Sequence, residues 1–159
     1  TYNKRLFYPE LGGGSLYDIG IYPMELLPYY ADQKITQMQF FKKDYSTGVD
    51  EIVSLNLQLE RCIANIQCSF TTKMPEDAYL YGSDGYIHIP KIHFGNRARL
   101  YDLEDRLVED FHEGLDNGFY YEVCEVISCI EKGQTESSIC PLNMTYDNAK
   151  LFDHVLRSR

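Results

Sequence analysis

Glu51-Ile52-Val53-Ser54-Leu55-Asn56-Leu57-Gln58-Leu59-Glu60 alternates apolar and polar side chains almost without a break. Successive side chains of a strand point to opposite sides, so Val53, Leu55, Leu57 and Leu59 share one face and Ser54, Asn56 and Gln58 the other. A strand with one apolar and one polar face belongs in an antiparallel sheet that covers a core on one side only. The neighbouring sequence repeats the pattern. In Cys62 to Thr72, Ala64, Ile66, Cys68 and Phe70 stand opposite Asn65, Gln67 and Ser69, and the short Arg61 region between the two runs predicts a hairpin. Upstream, Lys34 to Lys43 is rich in aromatic and β-branched residues and reads as a further strand. Downstream, Ala78 to Tyr81 and Tyr86 to Ile89 flank the turn composition Gly82-Ser83-Asp84-Gly85, with Pro90 closing the second run. Ala98 to Asp102 and Leu107 to Phe111 flank a charged turn at Glu104-Asp105.

Helical patterns bracket these strands. Thr1 to Leu11 reads as extended, ending in a Pro9 turn, and Gly12 to Gly14 as a loop. From Leu16 to about Tyr30, Leu16, Ile19, Tyr22 or Pro23, Leu26 and Leu27 recur near the helical period. Pro23 lacks a backbone donor and should kink or split this helix, and Pro28 predicts its end near Leu27. At the other end, Asn117-Gly118 breaks the chain before an apolar stripe of Phe119, Val123, Val126, Ile127 and Ile130, with Gly133 as a helix C-cap. Pro141 to Arg159 gives a last helix with Met144, Leu151, Phe152 and Val155 inward. This order predicts one α+β domain over 1–159, an open, mostly antiparallel sheet with helices packed on one face. The polar face is then a place for a dimer to form.

The 159 residues are 44% apolar, enough for a core. A net charge of -9 argues against nucleic acid or an anionic membrane as partner and tolerates neutral substrates such as sugars. The five cysteines form no C-x-x-C pair, which suits a reduced, cytoplasmic compartment. Cys62 and Cys68 have the strand parity of core thiols, and Cys124 and Cys129 lie in a helical pattern. Asn143-Met144-Thr145 fits a glycosylation acceptor that such a compartment would not use. No run approaches membrane-spanning length and no signal peptide is expected. A chain that begins at Thr1 reads as a piece of a longer protein.

Chemistry-bearing residues are few. Asp18 and Tyr22 are four residues apart, on one face of a helix, where a carboxylate can orient a phenol that donates or accepts a proton. The plainer reading is a surface Asp and a packed Tyr. Gly12-Gly13-Gly14 before a helix is neither G-x-G-x-x-G nor a P-loop, so it reads as room for close backbone approach rather than a phosphate cradle. His88, His93, His112 and His154 are scattered without metal-ligand spacing, so no metal is expected. Glu122 and Glu125 read as a solvated helix face, with a buried, hydrogen-bonded Glu the alternative.

Four segments, in order, carry a resemblance to a known family: Pro9-Glu10-Leu11-Gly12-Gly13-Gly14-Ser15-Leu16-Tyr17-Asp18-Ile19-Gly20-Ile21-Tyr22-Pro23; the strand pair around Val49-Asp50-Glu51 and Ala64 to Phe70; Tyr81-Gly82-Ser83-Asp84-Gly85-Tyr86-Ile87-His88-Ile89-Pro90; and Gly118-Phe119 through Glu122, Cys129-Ile130 and Gly133 to Glu136-Ser137-Ser138 and Pro141-Leu142. The chain resembles the C-terminal domain of Gfo/Idh/MocA oxidoreductases. The Asp-Ile-Gly-Ile-Tyr-Pro context resembles the branch of dihydrodiol, aldose and glucose–fructose oxidoreductases. The resemblance implies a fold like the C-terminal domain of glyceraldehyde-3-phosphate dehydrogenase. It also implies a two-domain parent whose absent N-terminal Rossmann domain binds NAD or NADP and carries a lysine in a Glu-Lys-Pro motif. It implies hydride transfer between the nicotinamide and a sugar, polyol or diol carbon, with this fragment inactive alone. Asp18 matches a substrate-orienting carboxylate and Tyr22 the catalytic acid/base position, where many members have His. Gly13 and Gly14 would leave room for substrate. A homodimer through the open sheet face would follow. A non-catalytic ligand-binding or assembly module that kept the fold is the alternative.

Overall fold

The computed structural model describes residues 4–114 and 117–158. Among these, the antiparallel strands expected from the alternation all form. They divide into two sheets in two compact units rather than one continuous sheet. The first unit holds the residues up to Met74 and those from Thr145 on, and the second holds Pro75–Met144.

In the first unit, β1 (Ile35–Asp44), β2 (Asp50–Leu59) and β3 (Ile63–Ser69) form an antiparallel sheet in that order. The decisive alternation of β2 is realised: Val53, Leu55, Leu57 and Leu59 are between 0% and 1% exposed. Each such side chain contributes roughly 1.5–3 kcal/mol by leaving water. On the opposite face, Asn56 stands beside Gln39 and Asn65, and its Oδ1 accepts a bond of 2.6 Å from Asn65 Nδ2. Phe41 and Ile63 also lie on that side and are 74% and 67% exposed. The apolar face is covered by α1 (Ile21–Ala31) and by α3 (Leu142–Arg157), through Met24, Phe152 and Val155.

Several boundaries depart from the sequence reading. The described part of the N-terminal segment is not extended: it forms two 3-10 turns, Lys4–Phe7 and Pro9–Leu11. The helix is split upstream of Pro23, into a π turn at Leu16–Gly20 and then α1. Pro23 thereby falls in the first turn of α1, where a missing donor costs little. Pro28 does not end the helix. The chain continues to Ala31, because Leu27 and Ala31 pack against the core, and Asp32 closes the last turn with its N–H on Pro28 O at 2.9 Å. Cys62, expected inside, precedes β3 in the hairpin turn and is exposed, whereas Cys68 is buried.

In the second unit, β4 (Ala78–Gly82), β5 (Gly85–Ile89), β6 (Arg97–Tyr101) and β7 (Leu107–His112) form an antiparallel meander. α2 (Phe119–Glu131) starts where Asn117 Oδ1 accepts the Phe119 N–H at 3.1 Å. It ends in a Schellman turn, with Gln134 N–H on Cys129 O at 2.9 Å and Gly133 N–H on Ile130 O at 3.0 Å. Its apolar stripe is exposed: Phe119, Val123, Val126, Ile127 and Ile130 all keep half or more of their surface in solvent. The side turned inward carries Glu125, Ser128 and Cys129 instead, and Ser137 and Glu136 meet it there.

Candidate functional site

The site begins with a buried carboxylate. Asp50, the first residue of β2, is 4% exposed. Its Oδ2 accepts the Ser15 N–H at 2.9 Å, the Ser15 Oγ–H at 3.0 Å and the Leu16 N–H at 2.7 Å. Those two amides open the π turn, so Asp50 supplies from 35 residues away the cap that Ser15 does not provide. A negative charge at a helix start opposes the helix dipole favourably, and three donors compensate its burial.

The glycines before this turn are explained by the same close packing. Gly14 has φ +114, and a Cβ there would meet Asp50 Oδ1 at 2.0 Å. A Cβ on Gly13 would meet Leu6 O at 2.5 Å. Their N–H groups bond Tyr8 O and Leu6 O, both at 3.0 Å. The loop's amides are therefore spent inside the chain, and no cradle for a pyrophosphate is left there. This fits the reading of the Gly stretch as a close-approach loop.

The π turn carries Asp18. Ile19 N–H and Gly20 N–H both bond Ser15 O, at 2.8 Å and 3.1 Å. Such widened turns are rare and frequent at functional sites. The four-residue step from Asp18 to Tyr22 therefore crosses from a π turn into α1 and is not the regular helical step the spacing suggested. Asp18 Oδ1 pairs with Arg5 Nη2, and Arg5 Nη1 also donates to Gly12 O at 2.9 Å. Tyr22, second residue of α1, keeps 47% of its surface in solvent.

The layer around these residues is fixed from two sides. Tyr17 stacks edge-on against Phe152, with ring centroids 5.2 Å apart, and its hydroxyl bonds Asp153 Oδ1 at 3.2 Å. Burial and that bond raise the Tyr17 phenol above its ordinary range, so it stays a donor. Beneath the turn, Cys68 Sγ lies 3.7 Å from Ser15 Oγ, and burial pushes its thiol up to about 11. Neither Asp50 nor Arg5 was assigned a role from sequence. Asp50 lies in one of the segments that carry the family resemblance, but its partners are distant in the chain. Arg5 stands in a segment with no periodicity.

Elsewhere, His88 Nε2 lies 2.8 Å from Asp77 Oδ2, and that bond, with the Lys91 N–H, holds the Asp77 carboxyl below its usual range. Glu125, read as solvated or buried, accepts from Ser137 Oγ and from Cys129 Sγ, the latter at 3.5 Å. Among the described residues no group of three or more His, Cys, Asp or Glu side chains could hold a metal ion. Cavities of about 640 Å³ and about 460 Å³ lie in the second unit, and neither is lined by Asp18 or Tyr22. No helix among the described residues is long and apolar enough to cross a membrane.

An α+β chain with antiparallel sheets and this Gly-loop turn has the fold of an oxidoreductase C-terminal domain. The family model of the GFO/IDH/MocA C-terminal domain matches residues 2–88, and the chain belongs to that family. Relatives include trans-1,2-dihydrobenzene-1,2-diol dehydrogenase of Danio rerio, 32% identical over 142 residues, covering 84% of this chain and 42% of that protein. The mouse (Mus musculus) protein of the same name is 30% identical over 137 residues, covering 82% of this chain and 41% of its own length. The chain thus spans less than half the length of these curated relatives. Among solved structures, aldose-aldose oxidoreductase from Caulobacter crescentus, complexed with glycerol, shares the fold with a TM-score of 0.81 at 18% identity, over 99% of this chain and 49% of that one. UDP-N-acetylglucosamine 3-dehydrogenase from Acidithiobacillus ferrooxidans gives a TM-score of 0.66 at 14% identity, over 80% of this chain and 41% of that one.

Proposed function

We propose that this chain is the substrate-binding and oligomerisation part of an NAD(P)-dependent oxidoreductase that transfers hydride between a nicotinamide and a sugar, polyol or diol carbon. The observation that carries the reading is the Gly loop and π turn, which bears Asp18 and leads directly into α1, where Tyr22 keeps 47% of its surface in solvent. The names of the sequence relatives, dihydrodiol dehydrogenases, support the substrate class. In this reading Asp18 accepts a hydrogen bond from a substrate hydroxyl, and Tyr22 exchanges a proton with the substrate oxygen. In the same reading Gly13 and Gly14 contribute backbone carbonyls, since their amides are already bonded and their missing side chains make room for Leu6 O and Asp50 Oδ1. The dinucleotide, NAD or NADP, is held by a Rossmann domain outside this chain, so this fragment alone is inactive. The protein is cytoplasmic and pairs as a homodimer through the polar sheet face.

The test is a panel of sugars, polyols and vicinal diols with both nicotinamides, using the full-length protein. Turnover on one of these classes supports the reading. Binding without turnover on any of them favours the non-catalytic module instead.

A further inference from the structure

We propose that Arg5 is a positioning residue of the site: its guanidinium ties the Gly loop to Asp18 and sets which carboxylate oxygen meets the substrate. The proposal rests on the reading of Asp18 as the substrate carboxylate. A guanidinium is a rigid planar fork with several donors, so one side chain can hold two acceptors in a fixed relation. Here one prong donates to Gly12 O at 2.9 Å, and the other pairs with Asp18 Oδ1. The fork's base is fixed as well. The next residue, Leu6, is buried in a cluster with Val49 and Phe70, and its carbonyl accepts the Gly14 N–H at 3.0 Å. The 3-10 turn at Lys4–Phe7 thus locks the Gly loop through the backbone and Asp18 through the side chain.

Two consequences follow for substrate choice. With Oδ1 engaged by Arg5, the second oxygen of Asp18 is the acceptor for a substrate hydroxyl. The Arg5–Asp18 pair is also neutral in sum, so the site favours an uncharged hydroxyl donor over an amine, which a lone carboxylate would attract. Both side chains stay part-exposed, at 40% and 32%, so neither is needed to fill the core.

The experiment compares Arg5→Ala, Arg5→Lys and Asp18→Asn in the full-length protein, on whichever hydroxyl substrate of the panel it turns over. Arg5→Ala should lower kcat/KM at least tenfold, mainly through a higher KM for the hydroxyl substrate. The KM for the nicotinamide and the melting temperature should stay at wild-type values. Added methylguanidinium should restore part of the Arg5→Ala loss and none of the Asp18→Asn loss. Arg5→Lys, which keeps the charge but not the fork, should fall between wild type and Arg5→Ala. Wild-type kcat/KM in Arg5→Ala beside an impaired Asp18→Asn overturns this proposal and leaves the Asp18 reading standing. Wild-type kcat/KM in Asp18→Asn removes that reading and this proposal with it. A loss in Arg5→Ala that follows a lowered melting temperature, without guanidinium rescue, makes Arg5 structural and overturns the positioning role.

Discussion

Tyr22 stands at the second position of α1 with nearly half its surface in solvent, and the proposed function makes it the group that exchanges a proton with substrate. If it moves a proton in the reaction, Tyr22→Phe in the full-length protein should lower turnover at least tenfold, about 1.4 kcal/mol in barrier height. Steady-state kinetics measures this, and wild-type turnover would leave Tyr22 with no part in proton transfer. Cysteine chemistry gives a second residue-scale test. Cys62, Cys124 and Cys140 are exposed, whereas Cys68 and Cys129 are buried. The Cys68 thiol, raised from 9.0 to about 11 by burial, is almost wholly protonated at pH 8. The sign follows: a thiol whose folded value is raised favours the fold below the unfolded value of 9.0, and that advantage is lost as pH rises toward about 11. Mass spectrometry after brief iodoacetamide treatment at pH 8 should find the three exposed thiols modified first, with Cys68 and Cys129 following only on unfolding. Rapid alkylation of Cys68 in the folded protein would contradict its burial.

At the scale of elements, the start of the site helix depends on β2. The alternation Val53 to Leu59 was legible because a strand's period shows in neighbouring residues. The cap was not, because Asp50 and the amides it accepts are 34 and 35 residues apart and no local pattern joins them. The π turn was hidden for a related reason. Its widening is set by packing of Leu16 in the core and by the Asp50 carboxylate at its start, while the apolar spacing still reads as ordinary helix. The exposed stripe of α2 is a third case: periodicity marks an apolar face but does not say which neighbour lies beside it. The cap itself can be measured. Asp50→Ala leaves the Ser15 Oγ–H and the Leu16 N–H without their acceptor, while the Ser15 N–H keeps its bond to the Asp50 backbone carbonyl at 2.9 Å, and should cost roughly 2–4 kcal/mol of unfolding free energy. Urea unfolding followed by circular dichroism reads the loss. Asp50→Asn, which keeps one oxygen acceptor, should lose less, and equal losses would mean that the carboxylate's charge, not its hydrogen bonds, dominates.

For the whole molecule, the α+β class and the antiparallel pairing could be read from sequence, but the division at Met74 could not. Both sheets are built from the same alternating strands, and only the long-range contacts separate them. The outer face of the first sheet bears on assembly. It is lined by Gln39, Asn56, Asn65 and Gln67, and among them Phe41 and Ile63 place two large apolar side chains in water at 74% and 67% exposure. Polar side chains around apolar anchors are the composition of a wet, specific interface rather than of a core. In the proposed homodimer these two residues lose their exposure to the partner's sheet. A double substitution, Phe41→Glu with Ile63→Glu, would then bury two uncompensated carboxylates in each half of the interface. Each substitution occurs on the face away from the core, so the sheet itself should keep its stability. Sedimentation of the full-length protein should show the wild type as a dimer and the double variant as a monomer at micromolar concentration, with its melting temperature lowered only by the loss of association. A double variant that sediments with the wild type places the dimer contact elsewhere and leaves this face to water.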